Sequence, residues 1–474
     1  MSELILASDL EEFTEINGIS VSLDEPYQYR LESLQLGGEG APDSGRIHIK
    51  SVLYDKEKNI YCMYYSAHPV FDGDLVFPSY LAYAESIDGI NWIKPNLGLF
   101  EYNGSKDNNL LPGFPEKCLV GNVILDDDGT YLAPVTQIGA FTKDMVDDPY
   151  LKKECDDYME GFLGIARSRD GFHWEFTLPE KPLIMEKIEV VRLAKFKGKY
   201  LINGQQIRPW CDSDVYERMV TTFVSEDLET WKKLPGFYQA KGGVQSHIGI
   251  AVTGEFGNTL VGFSGRFYNS VELADMSMEI DLLYAHNGEN FHQLMPEKAY
   301  MRCGPVGSWN SGSLLQVPGY IEKDDEFIIY FSGGNGNNCP VDGCIVPGYC
   351  RIKRHRFAHA GLRVGWDIAS GDRDRRGTMK TRLMRRLNPA EKLYLNCSNF
   401  RKQGFIRGAL CDENGNIFEG FSFDDCIAVT KEGLEQELAW HNQNILPEKF
   451  HLILEFKGST FRKESPYLYA VTLA

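Results

Sequence analysis

Glu189 stands at the head of an apolar run, Val190, Val191 and Leu193, inside the stretch EKIEVVRLAKFKGKYLINGQQ (186–206). A carboxyl group set among Ile188, Val190 and Val191 would lose hydration. Desolvation raises a carboxyl pKa toward the range in which the group can donate a proton, as an acid catalyst requires. The stretch also predicts its own setting: two short strands flank the turn Lys197-Gly198, which is the pattern of a β-hairpin with Glu189 at its entrance. Four further hairpins follow the same plan, with His48, Asn122, His247 and Asn310 at or beside the entrance. Brought to one axis, these five residues form a polar ring containing a single strong acid. Arg208, Trp210 and Arg266 are expected on loops that return to the same mouth, where an arginine can grip a carboxylate or phosphate with two hydrogen bonds.

The elements that must position this ring are read from a repeat. Hairpins are expected at 47–65, 120–134, 189–203, 247–263 and 311–331, each followed by a long polar loop and a third strand. The third strand ends in a turn carrying S-x-D-G and an aromatic residue. LAYAESIDGINW (81–92) and LGIARSRDGFHW (163–174) are clear copies; TTFVSEDLETW (221–231) is degenerate and LLYAHNGENF (282–291) is weaker. Turns of this kind at roughly 60- to 80-residue spacing predict a β-propeller of four-stranded blades, here five. The last blade would be completed by 350–357 or by the N-terminal segment. Loops at 68–77, 136–159, 205–216, 266–277 and 333–347 collect on one face, and long loops on a rigid scaffold commonly build a site.

The expected division is a lead-in of little periodic structure at 1–45, the propeller at 46–357, and a small antiparallel β-sandwich at 358–474. LYLNCS (393–398), GFIRGALCDENGNIFEGFS (404–422) and YLYAVTLA (467–474) supply strands of the last part. The fold class is therefore all-β. The basic segment SGDRDRRGTMKTRLMRR (370–386) is read as a solvated linker face rather than a phosphate site.

Length and charge narrow the field. At 474 residues the chain is too long for one core. Its net charge of −18 argues against nucleic acid or an anionic membrane as a partner. The N-terminus has neither the basic nor the apolar region of a signal peptide, and no run approaches the ~18 apolar residues that span a bilayer. The 11 cysteines form no framework, which points to reduced thiols and a cytoplasmic location. Cys339, Cys344 and Cys350 match no common zinc spacing, so neither a metal nor another cofactor is expected.

The blade pattern, with NWIKPNLGLFEYNGSKDNNLL (91–111) and the S-x-D-G-x-x-W turns, resembles the five-bladed propeller glycosidases, most of all the family 32-like proteins of the fructosidase/invertase superfamily. LYLNCS, GFIRGALCDENGNIFEGFSFDDC and GSWNSG (307–312) resemble segments of the same relatives, which carry a C-terminal sandwich. The resemblance implies glycoside hydrolysis by two carboxyl groups flanking the scissile bond. It places Glu189 as the general acid/base. The aspartates the family carries on blades I and II are met here by His48 and Asn122. Asp55 and 126–128 are expected in the distal turns, away from the site. Three readings follow: His48 acts as a base or binds a substrate hydroxyl, the second carboxylate comes from a loop (Asp72 or Asp74), or the propeller binds sugar without cleaving it. Asn122, His247, Arg208, Arg266 and Asn310 are the expected substrate ligands, with Trp309 stacking on a sugar face. The implied partner is a small saccharide, with a homo-oligomer through the sandwich as a further one. A six-bladed sialidase-like propeller is disfavoured, because its Asp-box turn S-x-D-x-G-x-x-W is one residue longer.

Overall fold

The computed structural model describes residues 3–70, 78–115, 117–139, 145, 160–186, 188–209, 216–240, 245–268, 277–286, 288, 290–335, 345–363, 375–401, 404–458 and 465–474. Period-two alternation builds the first part of the architecture. In Ile60–His68, Tyr61, Met63, Tyr65 and Ala67 point into one apolar core, while Cys62 and Tyr64 point into the next. Successive side chains of a strand leave on opposite faces, so a sheet wedged between two neighbours needs an apolar residue at nearly every position.

Five antiparallel meanders follow. Blade I is Arg46–Asp55, Ile60–His68, Tyr80–Ser86 and Trp92–Ile93. Blade II has its inner strand in two pieces, Cys118–Val120 and Ile124–Leu125, then Tyr131–Ile138, Glu160–Ser168 and Trp174–Glu175. Blade III is Glu189–Phe196, Lys199–Pro209, Tyr216–Ser225 and Lys232–Tyr238. Blade IV is Gln245–Phe256, Thr259–Tyr268, Ser277–His286 and His292–Gln293. Blade V is Ser313–Lys323, Glu326–Gly334 and Ile345–Lys353, and its outer strand is the N-terminal Gln28–Arg30, which pairs with Gly348–Cys350. Apolar cores lie between blades V and I, I and II, II and III, III and IV, and IV and V. A cycle of sheets, each sharing a core with both neighbours, is the arrangement of a β-propeller.

The break in the inner strand of blade II has a local cause. Pro134 lies opposite it and brings no N–H to the ladder. Gly121 donates to the Pro134 carbonyl at 2.8 Å, and Asn122 turns away toward blade III.

The rest of the chain forms a sandwich. One sheet runs Ile19–Leu23, Ala358–Leu362, Tyr467–Leu473, Leu393–Ser398, Gly433–Trp440 and Cys426–Ile427, with Glu3–Leu6 also paired to Tyr467–Leu473. The other runs Phe13–Asn17, Arg375–Thr381 and Lys449–Gly458, the last also carrying Phe405–Cys411 and Met384–Arg385. Leu395, Val471, Ile406, Leu454 and Phe456 meet in the core between them.

Two expectations are corrected here. The first 45 residues are not a lead-in of little structure: they supply three strands to the sandwich and one to blade V. Nor is the described part of the basic segment, 375–386, a solvated linker, since Arg375–Thr381 is a strand of the sandwich. Arg376 pairs with Glu455 at 3.0 Å, and Arg382 bonds Glu12 and Glu3, each at 2.6 Å. Arg376 and Arg382 answer the buried acids Glu455 and Glu12, which a composition-based reading does not register.

Sandwich and propeller join at blades IV and V; beside blade V, Arg354 bonds Glu435 at 2.9 Å and Arg356 donates to Asn396 at 3.0 Å. Asp9 caps the short 3-10 turn Leu10–Glu12 and binds the Thr259 hydroxyl, Asn258 donates to Glu12 at 3.0 Å, and His286 lies 3.3 Å from Asp9. Among the described residues no helix is long and apolar enough to cross a membrane.

Candidate active site at the mouth of the propeller

The inner strand of blade III enters through a bulge. Glu189 pairs with Gln205, but the next pair is Arg192 with Asn203, so one extra residue is accommodated between them. Val190 takes it up at φ +51°. A β-branched residue is a steric outlier in that left-handed region, and such outliers persist where surrounding contacts over-determine them. Gly204, across the ladder, makes the seat: a side chain there would strike Ile188 at 2.2 Å. Glu189 is consequently half-buried at the strand entrance, and the amide of the fully buried Gln205 donates to its carboxylate at 3.1 Å. Behind the bulge Arg192 is 2% exposed and donates to the Val191 carbonyl at 3.2 Å.

Blade I contributes a histidine pair. His48 stands opposite Ser66 in the ladder, and His68, two residues further, leaves from the same face. The rings lie 5.1 Å apart. Burial, followed by the nearby His68, Lys50, Arg46 and Arg192, holds the His48 pKa well below the usual histidine range. Its imidazole is thus neutral near pH 7. The Nε2 atom is shielded from solvent and has no hydrogen-bond partner among the described residues. A neutral imidazole can exchange one hydrogen bond with a ligand hydroxyl, but its low basicity weakens it as a proton acceptor.

The other expected ligands divide. Asn122 is 6% exposed, and both ends of its amide are engaged at 2.7 Å, the nitrogen by the Leu193 carbonyl and the oxygen by the Leu193 N–H. It therefore staples blade II to blade III, which corrects its reading as a substrate ligand. Arg266 is corrected as well. It lies within the strand Thr259–Tyr268 rather than on a loop, 4% exposed, bonded to Asp281 at 2.8 Å and to the Pro296 carbonyl at 2.5 Å. Tyr238 of blade III donates to the same Asp281 at 2.8 Å, so this ion pair ties blades III and IV together.

Trp309 lies over the backbone of Gly333 and Gly348 and stacks on Phe331, with ring centres 5.8 Å apart. Asn310 is 5% exposed and donates to Gln28 at 2.8 Å. Both sit at the mouth end of blade V, but over its outer strands rather than at the axis. Arg208 falls in the strand Lys199–Pro209, not on a loop, and His247 in Gln245–Phe256; their side chains, with Trp210, Asp72 and Asp74, lie outside the described residues. Asp55 accepts from two N–H groups of its own hairpin turn, and Asp126 binds Lys195 and the Tyr200 hydroxyl, at the end of the blades away from the mouth.

His68, Gln205 and Arg192 join the site without having been expected. The first two carried a legible signal, since a residue two positions from, or directly across from, a site residue shares its face. A second acid, Glu186, is bonded to Gln206 at 2.8 Å and neutralised by Lys233 at 2.5 Å. Among the described residues, the donors of Asp9, Glu12 and His286 lie within 4.8 Å of one another. They are engaged by Thr259, Asn258 and Arg382 at the sandwich junction, far from this mouth in the chain's architecture.

No family model and no curated protein matches the sequence. Among solved structures the chain is similar to a sucrose-6-phosphate hydrolase from Lactobacillus gasseri, at 12% identity over 95% of this chain and 93% of that one, with a TM-score of 0.40. It is similar to an exo-inulinase from Aspergillus awamori at 11% identity, over 96% and 99%, TM-score 0.40. A β-fructofuranosidase from Bombyx mori stands at 12% identity, over 90% and 91%, TM-score 0.39. Chains so weakly identical are alike in fold alone.

Proposed function

We propose that the protein is a glycoside hydrolase acting on a small saccharide or glycoside held where the inner strands begin, with Glu189 as general acid/base. The observation that carries this reading is the bulge at Val190. A strained backbone beside a half-buried carboxylate, braced by a buried amide, is the kind of local cost that persists at a working site. His48 supplies a neutral hydrogen-bonding ring to a sugar hydroxyl, and Asp72 is retained as the partner carboxylate. The seven described cysteines are free thiols, in keeping with a cytoplasmic enzyme and imported oligosaccharides or glycosides as substrates.

A second reading, sugar binding without cleavage, is favoured by one observation: blades I and II present His48 and Asn122 where hydrolysis would use carboxylates, and Asn122 is committed to the backbone. Hydrolysis of aryl glycosides and small fructosides by wild type and Glu189→Gln separates the two. The enzyme reading expects a loss of about 10²–10⁴-fold, larger for alkyl than for nitrophenyl leaving groups, which need less protonation. Equal turnover in wild type and mutant would remove Glu189 from the mechanism. Binding with no turnover in either would establish the second reading.

A further inference from the structure

A cleft of about 690 Å³ lies where the chain leaves blade V for the sandwich. Its described lining holds three cations, Arg356, Arg401 and Lys431, and one carboxylate, Glu432. In a chain of net charge −18, this local excess of positive charge runs against the whole. None of the three cations forms an ion pair with a described residue. Arg356 is half-buried and held in place. Its Nε donates to the Asn396 side chain at 3.0 Å, and its Nη2 to the carbonyls of Cys397 and Gly433 at 3.2 and 3.4 Å. The guanidinium lies over the Tyr469 ring, 4.7 Å from the centroid. These neutral partners orient the fork without cancelling its charge, and Nη1 is left to the cleft.

The walls add neutral donors and a ring surface. Ser398 and Tyr469 share one hydrogen bond at 3.1 Å, so one of their two hydroxyl protons is left to donate. Burial pushes the Tyr469 hydroxyl up to about 12 and raises that of Tyr467 as well, so both keep their protons at neutral pH. His359 backs the Tyr467 ring with centroids 3.7 Å apart, and Asp24 holds His359 at 2.7 Å. Asn399 takes a left-handed φ of +60° and donates to the Ser465 carbonyl at 2.7 Å. That turn sets Phe400 and Arg401 at the edge of the cleft.

We infer that this cleft binds a small organic phosphate, outside the propeller mouth and independently of the chemistry there. A phosphate monoester carries about −1.5 to −2 charge near pH 7, which matches three cations set against one carboxylate. Arginine forks meet phosphate oxygens in pairs, and the hydroxyls of Ser398, Tyr467 and Tyr469 suit the oxygens that remain. The volume exceeds what a phosphate ion alone fills, and Tyr467 and Phe400 offer ring surface to the organic part. Arg356 follows Ile345–Lys353 of blade V, while Arg401 and Lys431 belong to the sandwich. A phosphate held by all three therefore ties the two domains together.

The test is calorimetric titration of the full chain with glucose 6-phosphate, AMP and inorganic phosphate, with glucose and adenosine as uncharged counterparts. The same titrations are made on Arg401→Ala, Lys431→Ala and Glu432→Gln, and on Lys232→Ala, an exposed lysine on the outer strand of blade III. All four residues are exposed, so the changes leave the fold intact. At least one ester is expected to bind about tenfold more tightly than inorganic phosphate and than its uncharged counterpart. Arg401→Ala and Lys431→Ala should each weaken it by about five- to tenfold. Glu432→Gln should tighten it by about two- to fivefold, and Lys232→Ala should leave it unchanged. Three results would overturn the inference: no binding by either ester, inorganic phosphate binding as tightly as both, or an ester whose affinity ignores Arg401 and Lys431. A loss from Lys232→Ala equal to that from Lys431→Ala would also sink it, because net charge rather than the cleft would then be at work.

Discussion

The two ends of the propeller blades follow opposite rules. At the end away from the mouth, three blades repeat one hydrogen-bond plan. Ser86, Ser168 and Ser225 each accept from the N–H three residues on, at 2.9 Å. Asp88, Asp170 and Asp227 each accept from two successive N–H groups at 2.7–2.8 Å. Trp92, Trp174 and Trp231 close the turn by donating to its carbonyl. Even where Leu228 replaces the glycine, the chain keeps φ +68°. At the mouth, by contrast, the inner strands of blades I, III, IV and V share a register shift near their start, but the described side chains differ from blade to blade: a histidine pair, an asparagine staple and a bulged glutamate. A feature needed once per blade is repeated because every blade must fold; a feature needed once per molecule is not. Sequence repetition therefore marks the scaffold, and departure from it marks the place to look for chemistry.

The sharpest break of that contrast is kinetic. Glu189→Gln should lower turnover by about 10²–10⁴-fold and change unfolding free energy by no more than about 0.5 kcal/mol, read from rates beside a denaturant titration. A large loss of stability would make Glu189 scaffold. Arg266→Met should do the reverse: stranding Asp281 in the interior costs about 3–5 kcal/mol, measured by the same denaturation, whatever its effect on rate. At the far end, Asp170→Ala exposes N–H groups of a single turn and should cost about 1 kcal/mol, with kcat/KM unchanged.

Acid separates the ends by pH. The pKa of His48 is depressed by folding, so the unfolded chain binds the proton more readily. Stability is then full above about pH 6.5 and falls as pH drops below it. Although partial burial opposes it, the N–H groups of their turns hold Asp88 and Asp170 well below the usual carboxylate range. The N–H groups of Thr230 and Glu229 bring Asp227 to about 2. Stability from these carboxylates is present above about pH 4 and is lost as pH falls through the folded pKa values. Melting curves should show His48→Asn flattening the slope between pH 7 and 5, and Asp170→Asn changing only the slope below pH 4.

The blades were legible because their turns are local: serine, aspartate, glycine and tryptophan act within seven residues, so spacing alone exposes them. The sandwich was legible from alternation. Arg266 was misplaced because the length of a strand depends on what its neighbour pairs with, and Ser277–His286 carries the ladder out to Tyr268. Asn122 looked available because its partner, the backbone of Leu193, has no sequence signature. The bulge at Val190 was hidden for a similar reason, since valine gives no warning of a left-handed conformation. The N-terminal strands were missed because their partners lie at the other end of the chain.

That last arrangement has a consequence for how the molecule comes into being. Glu3 pairs with Leu473, Phe13 with Thr381, and Tyr29 with Tyr349. Strands within the first thirty residues of this sequence must wait for partners more than three hundred residues further along before their edges are covered. Contacts so distant along the chain make for slow, late assembly, and until then the open edge of blade V is a surface on which another copy's N-terminal strand could settle instead of its own.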